Sequence, residues 1–256
     1  AVDLDRVRPL GHAGSRGAVV TDLVWIVKPG DGNEELRWSL RSAVAHVPHE
    51  NVWIVGSRPG WCTAPLIEVP KPPGTTKWAQ STSNVRAACE HPDVADDFVL
   101  FNDDFFVMSP LEEVPLLDRG PVSDVLEDYL RRRGPSPYVK GMARTAEVVR
   151  QHLGREPLSF ELHVPMPVHG PTMLAALELG ARAGIEVLHK RSLYGNLVIE
   201  GGRPSTSMRR DPKVCEAHPR WSPSWPFLST DDRSFDWHPV GRHIRQSFPE
   251  RSPYEG

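Results

Sequence analysis

This chain is short of cysteine, has no long apolar run and shows no excess of basic residues, and each shortage removes a class of protein. Three cysteines in 256 residues, Cys62, Cys89 and Cys215, show no metal-binding spacing and leave one without a mate. A disulfide framework is therefore not expected, and reduced thiols in a cytoplasmic setting are. No apolar stretch approaches the roughly 20 residues of a membrane-spanning helix, and the first residues lack a signal-peptide core. A net charge of −3 and a pI near 6.4 give no global footprint for nucleic acid, which stays a partner that is open but not favoured. A basic patch at Arg131, Arg132 and Arg133 is the local exception, and three arginines there also suit the carboxyl end of a helix.

What is present supports a substantial core: 39% of the residues are hydrophobic and 25% charged. That is enough for one large domain over residues 1–256. Asp22 to Val27 reads as a buried strand stopped by the turn residues of 28–32. Leu36, Leu40, Ala43, Val44 and Val47 then keep helical spacing, with Asn33 as the cap. Asn51 to Gly56 is a second strand. Strand, helix, strand in sixty residues is the pattern of a right-handed crossover in a parallel sheet, hence an α/β fold. The proline-rich segment 57–78 reads as a functional loop. A helix is expected over 81–90 with Ser83 or Asn84 as its cap, followed by a strand from Phe98.

Further along, helices are expected from Val122 to Gly134 and from Met142 to Gly154, forming a small lobe over residues 120–155. Leu158 to Val164 alternates as a strand does, a helix runs from Pro171 to Ala183, and Ile185 to Leu188 reads as a strand again. Ser192 to Asn196 looks like a turn able to contact a ligand. The last fifty residues read as a wrapped tail closed by a short helix near 240–246. Its aromatic residues, Trp237 among them, call for burial.

One stretch stands out chemically. Asn102, Asp103 and Asp104 interrupt the apolar run from Phe98 to Met108, where ionised groups are expensive unless something pairs with them. A strand end turning into a loop accounts for such residues. An acidic pair at the open end of a covered sheet also suits Mg²⁺ or Mn²⁺, which bind through one or two carboxylates and substrate phosphates. Successive strand side chains point to opposite faces, so both acids serve one ion only if the backbone bends there.

Glu161 and His163, two apart, would share one face of a strand, and His163 suits a base, a metal ligand or a phosphate donor. Arg37 and Arg41, four apart on a helix, project together: they form a solvated face or neutralise a diphosphate. Lys77 is open to the same two readings. Ser229 to Phe235, with Asp231 and Asp232, reads as an Asx-type turn or a second acidic wall.

Taken in order, Leu36-Arg-Trp-Ser-Leu-Arg-Ser42, Trp53-Ile-Val-Gly56, Ser81-Thr-Ser-Asn-Val-Arg-Ala-Ala-Cys-Glu90 and Phe101-Asn-Asp-Asp-Phe-Phe106 resemble the Stealth family of sugar-phosphate transferases across residues 20–110. Ser192 to Asn196 and the ending Phe248 to Glu255 are similar, more loosely, to compact glycosyltransferase-like proteins of phages and actinobacteria. The resemblance implies a GT-A-like fold, with a mainly parallel sheet flanked by helices, and a nucleotide-sugar donor bound by residues 20–110. Residues 156–256 would then serve the acceptor: a glycan, a protein or a modified nucleotide. It implies a metal role for Asp103 or Asp104, phosphate contacts for Arg37 and Arg41, and a place for His163 at the reacting centre. Asp104 and Glu161 join His163 as catalytic candidates, and Lys77, Asn84 and Asn102 join the donor-binding ones. A glycosyltransferase acting on hydroxylated bases of viral DNA, a metal-dependent phosphohydrolase and a non-catalytic sugar-binding module are the alternatives.

Overall fold

A computed structural model describes residues 21–30 and 32–256. Asp31, which falls in the turn expected over residues 28–32, lies outside the described residues. In chain order the elements begin β1 (Thr21–Val27), α1 (Glu34–His46), β2 (His49–Gly56), β3 (Leu66–Glu68) and α2 (Lys77–Glu90). There follow β4 (Asp97–Asn102), β5 (Phe105–Val107), β6 (Leu117–Asp118), α3 (Val122–Arg133), α4 (Pro137–Leu153), β7 (Met166–His169), α5 (Gly170–Arg182) and α6 (Lys190–Glu200). The tail adds β8 (Thr206–Ser207), β9 (Lys213–Val214), β10 (Phe227–Thr230), α7 (Asp232–Trp237) and α8 (Pro239–Ser247).

The central sheet has the order β3-β2-β1-β4-β7. Its first four strands are parallel, and β7 runs antiparallel against β4. Alternation along β1 fills both faces. Val24 packs with residues of α2, α5 and α6, whereas Leu23, Trp25 and Val27 pack with α1 and with Phe105 and Phe227 of the second sheet. Trp25 stacks on Phe101 of β4 at 4.4 Å, an arrangement worth about 0.5–1.5 kcal/mol beyond the area it buries. The second sheet, β5-β10-β9, carries the chain from the acidic motif into the tail. The tail then returns to the start of the fold, where the Thr63 amide bonds to Tyr254 and the Gly256 amide to Trp61.

Several expectations are corrected. Residues 158–164 form no ladder strand. Side chains take three of their amides: Asn196 Oδ1 holds Leu158, Ser192 Oγ holds Phe160 and Asp211 holds His163, while the Ser159 amide donates to the Gly120 carbonyl. The strand lies further on, at Met166–His169. Ser192 to Asn196 is the middle of α6 rather than a turn, buried on every side, so no amphipathic stripe marks it. Ile185 to Leu188 is the connection into that helix, and the Ile185 amide closes back on Gly180. Helix α2 starts at Lys77 under a Thr76 cap, which puts Ser83 and Asn84 in its interior. Helix α4 starts at Pro137 under Ser136. The proline-rich loop contains β3. Trp237 is 79% exposed, whereas Trp221 and Trp225 pack against a buried cluster of the tail.

Candidate active site

Strand β4 ends at Asn102, opposite Ile26, and β5 begins at Phe105, so Asp103 and Asp104 occupy the turn between two strands. The backbone therefore bends at the acidic pair, the condition for both acids to serve one ion. The Leu36–Ser42 segment explains how the turn is held. Ser39 and Ser42, three apart on α1, both reach β5: the Ser39 hydroxyl donates to the Phe105 carbonyl and the Ser42 hydroxyl accepts from the Val107 amide at 3.1 Å. Trp25 Nε1 donates to Ser39 at 2.9 Å, which links the turn to the central strand.

Each carboxylate has a distinct setting. Asp103 Oδ2 accepts from Asn33 Nδ2 at 2.9 Å, and burial, together with the charge of Asp104, raises its pKa above the ordinary carboxylate range. Asp104 Oδ2 accepts from the Ser229 hydroxyl at 3.0 Å and from Lys213 Nζ, which also donates to the Thr230 carbonyl. Two crowded acids gain from any cation placed between them and substrate. Among the described residues no group of three or more His, Cys, Asp or Glu side chains is arranged for a metal. Mg²⁺, however, ordinarily takes only one or two protein carboxylates and completes its shell with phosphate and water. Asp103 and Asp104 meet that requirement.

His163 lies beside this turn, its ring edge-on to Phe105 at 6.2 Å. Asp211 grips it twice, with Oδ1 accepting from the His163 amide at 3.0 Å and Oδ2 from Nδ1 at 2.8 Å. Burial pushes the Asp211 pKa up, but the imidazole and the two hydrogen bonds outweigh it and hold the acid below its ordinary range. An ionised Asp211 fixes the tautomer with the proton on Nδ1, which leaves Nε2 as the basic nitrogen. Asp211 was invisible in the sequence because 48 residues separate it from its partner. Glu161 is not on a shared strand face with His163. It accepts from the Ser192 amide at 3.1 Å and hydroxyl at 3.3 Å, at the start of α6 beside Lys190. Burial pulls the Lys190 ammonium down to about 8 against the opposing charge of Glu161.

The donor-binding candidates separate. Asn84 is buried, with Nδ2 on the carbonyls of Val27 and Val55 and Oδ1 accepting from Gln80, so its amide ties together the ends of two strands. Gly56 makes room for it: with φ +109°, a Cβ there would lie 2.4 Å from the Val27 carbonyl and 2.5 Å from Asn84. Arg37 and Arg41 both bind Glu255 of the tail, and Arg41 is bidentate at 2.7 Å through each nitrogen. These arginines hold the tail onto α1. Lys77 is exposed, its ammonium 5.2 Å from the Trp78 ring, in the wall of a large cleft.

That cleft, about 810 Å³, brings Lys77, His163, Asp211, Lys213 and Asp231 together. Asp231 also caps α7 by accepting from the Ser234 amide at 2.8 Å, which realises the Asx-type turn expected from the sequence. Lys213 connects the cleft, which His163 also lines, to Asp104 of the acidic turn.

Glu35 is the residue the sequence hid best, since its place in the first turn of α1 is where a helix dipole alone favours an acid. It is buried and accepts from the Thr230 hydroxyl at 2.6 Å. Burial first, and then the charge of Asp104, push it up to about 9. A raised folded pKa means that stability is complete below about pH 4.5 and falls as the unfolded chain alone ionises, by at most about 1.4 kcal/mol per pH unit, up to about pH 9. Glu35→Gln should therefore melt higher than the parent at pH 8 in EDTA and equally at pH 4. A parallel pair of melting curves across that range would contradict the assignment.

No protein-family model matches this chain, and no curated protein matches it.

Proposed function

We propose that this protein is a GT-A-like transferase that moves a sugar, or a sugar 1-phosphate, from a nucleotide-sugar donor to an acceptor hydroxyl. The observation that carries this reading is the junction of an acidic turn, an oriented His–Asp pair and a cation-lined cleft at the end of a mainly parallel sheet, where open α/β folds bind ligands. The resemblance of residues 20–110 to the Stealth family supports it.

His163 Nε2 takes the proton of the acceptor hydroxyl, and Asp211 stabilises the imidazolium that forms. In glycosyl transfer the acceptor oxygen attacks the anomeric carbon. The bond from that carbon to the β-phosphate oxygen breaks, and its electron pair leaves with the nucleoside diphosphate. In phosphosugar transfer the oxygen attacks the β-phosphorus, and nucleoside monophosphate departs with the pair from the phosphoanhydride bond. Both leaving groups gain negative charge, so positive charge beside them lowers the barrier. Lys213 supplies one such charge at Asp104. A Mg²⁺ or Mn²⁺ ion, when bound by Asp103 and Asp104, would supply the larger share as a Lewis acid.

Incubation with donor labelled in the β-phosphate and Mn²⁺ tests the proposal. Label in the product identifies phosphosugar transfer, and label in released nucleoside diphosphate with sugar in the product identifies glycosyl transfer. If nucleotide sugars are never consumed, or yield only free sugar and nucleotide, the reading is wrong.

A further inference from the structure

The cleft has a second wall, formed by the residue after β6, the carboxyl end of α3 and the loops after β8 and β9. Arg119, Arg132, Arg133, Arg209, Arg210 and Arg220 line it. With Lys77 and Lys213 these make eight cations in a cleft whose lining holds two acids, Asp211 and Asp231, in a chain of net charge −3. The arginines crowd one another. Arg119, Arg132 and Arg133 all lie within 5.7–5.9 Å of the Tyr129 ring. Arg119, Arg131 and Arg132 share the single carboxylate of Asp128. Burial, with the charges of Arg119 and Arg133, draws the Arg132 pKa below its ordinary value. His218 Nε2, 3.0 Å from Arg132 Nη1, joins the two sides of the wall. Among the described residues Arg133, Arg209 and Arg220 have no ion-pair partner, and all three are exposed. Ending a helix well accounts for one or two of these charges and leaves the loop arginines unexplained. Guanidinium groups converging on a concave surface are what a phosphate requires.

Position along the chain assigns the ligand. From Arg209 to Lys213 the chain passes, in order, two wall arginines, the partner of His163, and the lysine on Asp104. At up to about 3.3 Å per residue, the backbone of Arg209 lies within about 13 Å of that of Lys213, whose side chain reaches the acidic turn, and His163 is held by the residue between them. A donor diphosphate on the acidic turn leaves the wall free.

We propose that the arginine wall binds a phosphate group carried by the acceptor, a phosphorylated saccharide whose reactive hydroxyl lies at His163. The acceptor part of this inference rests on the transferase reading, whereas the anion site itself does not. A cleft of about 810 Å³ has the size of a small-molecule site, which favours a saccharide over a duplex.

Calorimetric titration of the full chain with inorganic pyrophosphate in EDTA, without donor, tests the site. Binding is expected, weakened at least about tenfold by Arg133→Ala with Arg209→Ala and unchanged by Asp103→Asn. Glucose 6-phosphate should displace pyrophosphate where glucose does not. Absence of binding, equal affinity in the arginine variant, or loss on Asp103→Asn would overturn the proposal. Displacement by duplex DNA at lower concentration than by glucose 6-phosphate would overturn the saccharide assignment in favour of a nucleic-acid acceptor. Nucleotide-sugar binding is measured in a separate titration with Mn²⁺, so failure of the transferase reading is distinguishable from failure of the anion site.

Discussion

His163→Ala should lower kcat by about 10²- to 10⁴-fold while leaving nucleotide-sugar affinity unchanged, because a general base acts on the acceptor proton and not on donor binding. Asp211→Asn should also lose rate. An amide in place of the ionised carboxylate no longer specifies the Nδ1 proton or stabilises the imidazolium, and the remaining ring can turn its protonated nitrogen toward the acceptor. The double variant should be no slower than His163→Ala alone, since Asp211 acts only through the imidazole. Additive losses would mean that Asp211 contacts substrate by itself. An unchanged kcat in His163→Ala would move the base elsewhere in the cleft.

The largest effect on stability is expected at the other end of the chain. The Glu255 side chain is fully buried and receives Arg41 through two nitrogens, Arg37 at 3.1 Å and the Ser252 amide at 2.9 Å. Glu255→Ala leaves two partly buried guanidinium groups facing a gap, a loss of about 3–5 kcal/mol. That corresponds to a fall in Tm of about 10 °C for a chain of this size. Burial works against the ionised acid, but the two arginines and the amide prevail and hold it at about 2. A depressed pKa stabilises the fold above about pH 4.5, and that contribution fades as pH falls from there toward about 2. Glu255→Gln should lack this acid-side slope. The same variants decide what Arg37 and Arg41 do: a drop in Tm marks them as clamps of the tail, whereas an unchanged Tm with altered donor affinity would restore them to the phosphates.

The first two strands with the helix between them, and the strand before the acidic pair, were legible because their signals are local. Apolar runs gave β1, β2 and β4, and the helical spacing from Leu36 to Val47 gave α1, with Asn33 capping it as expected. The acidic pair could be picked out because charge inside an apolar run is anomalous whatever surrounds it. Partners contributed by the tail were not legible. Lys213 is 109 residues from Asp104, and Glu255 is 214 from Arg41. The spacing of Arg37 and Arg41 showed that they project together and carried no sign of a carboxylate arriving from the last residues. Helix α6 was missed for a different reason: buried on all sides, it carries no apolar stripe, and Ser, Gly and Asn in its middle interrupt its helix formers. The basic patch at 131–133 was visible, but its meeting with Arg119, Arg209, Arg210 and Arg220 in one cleft was not, because those arginines lie far from it along the chain or look ordinary alone.

Melting temperatures with a panel of nucleotide sugars, with and without Mn²⁺, test the central claim most directly, since a ligand of the folded state raises stability by mass action. One nucleotide sugar should raise Tm only when Mn²⁺ is present, and the rise should vanish in Asp103→Asn or Asp104→Asn. A panel without any shift, or a shift of equal size in both variants and without the metal, would contradict the account.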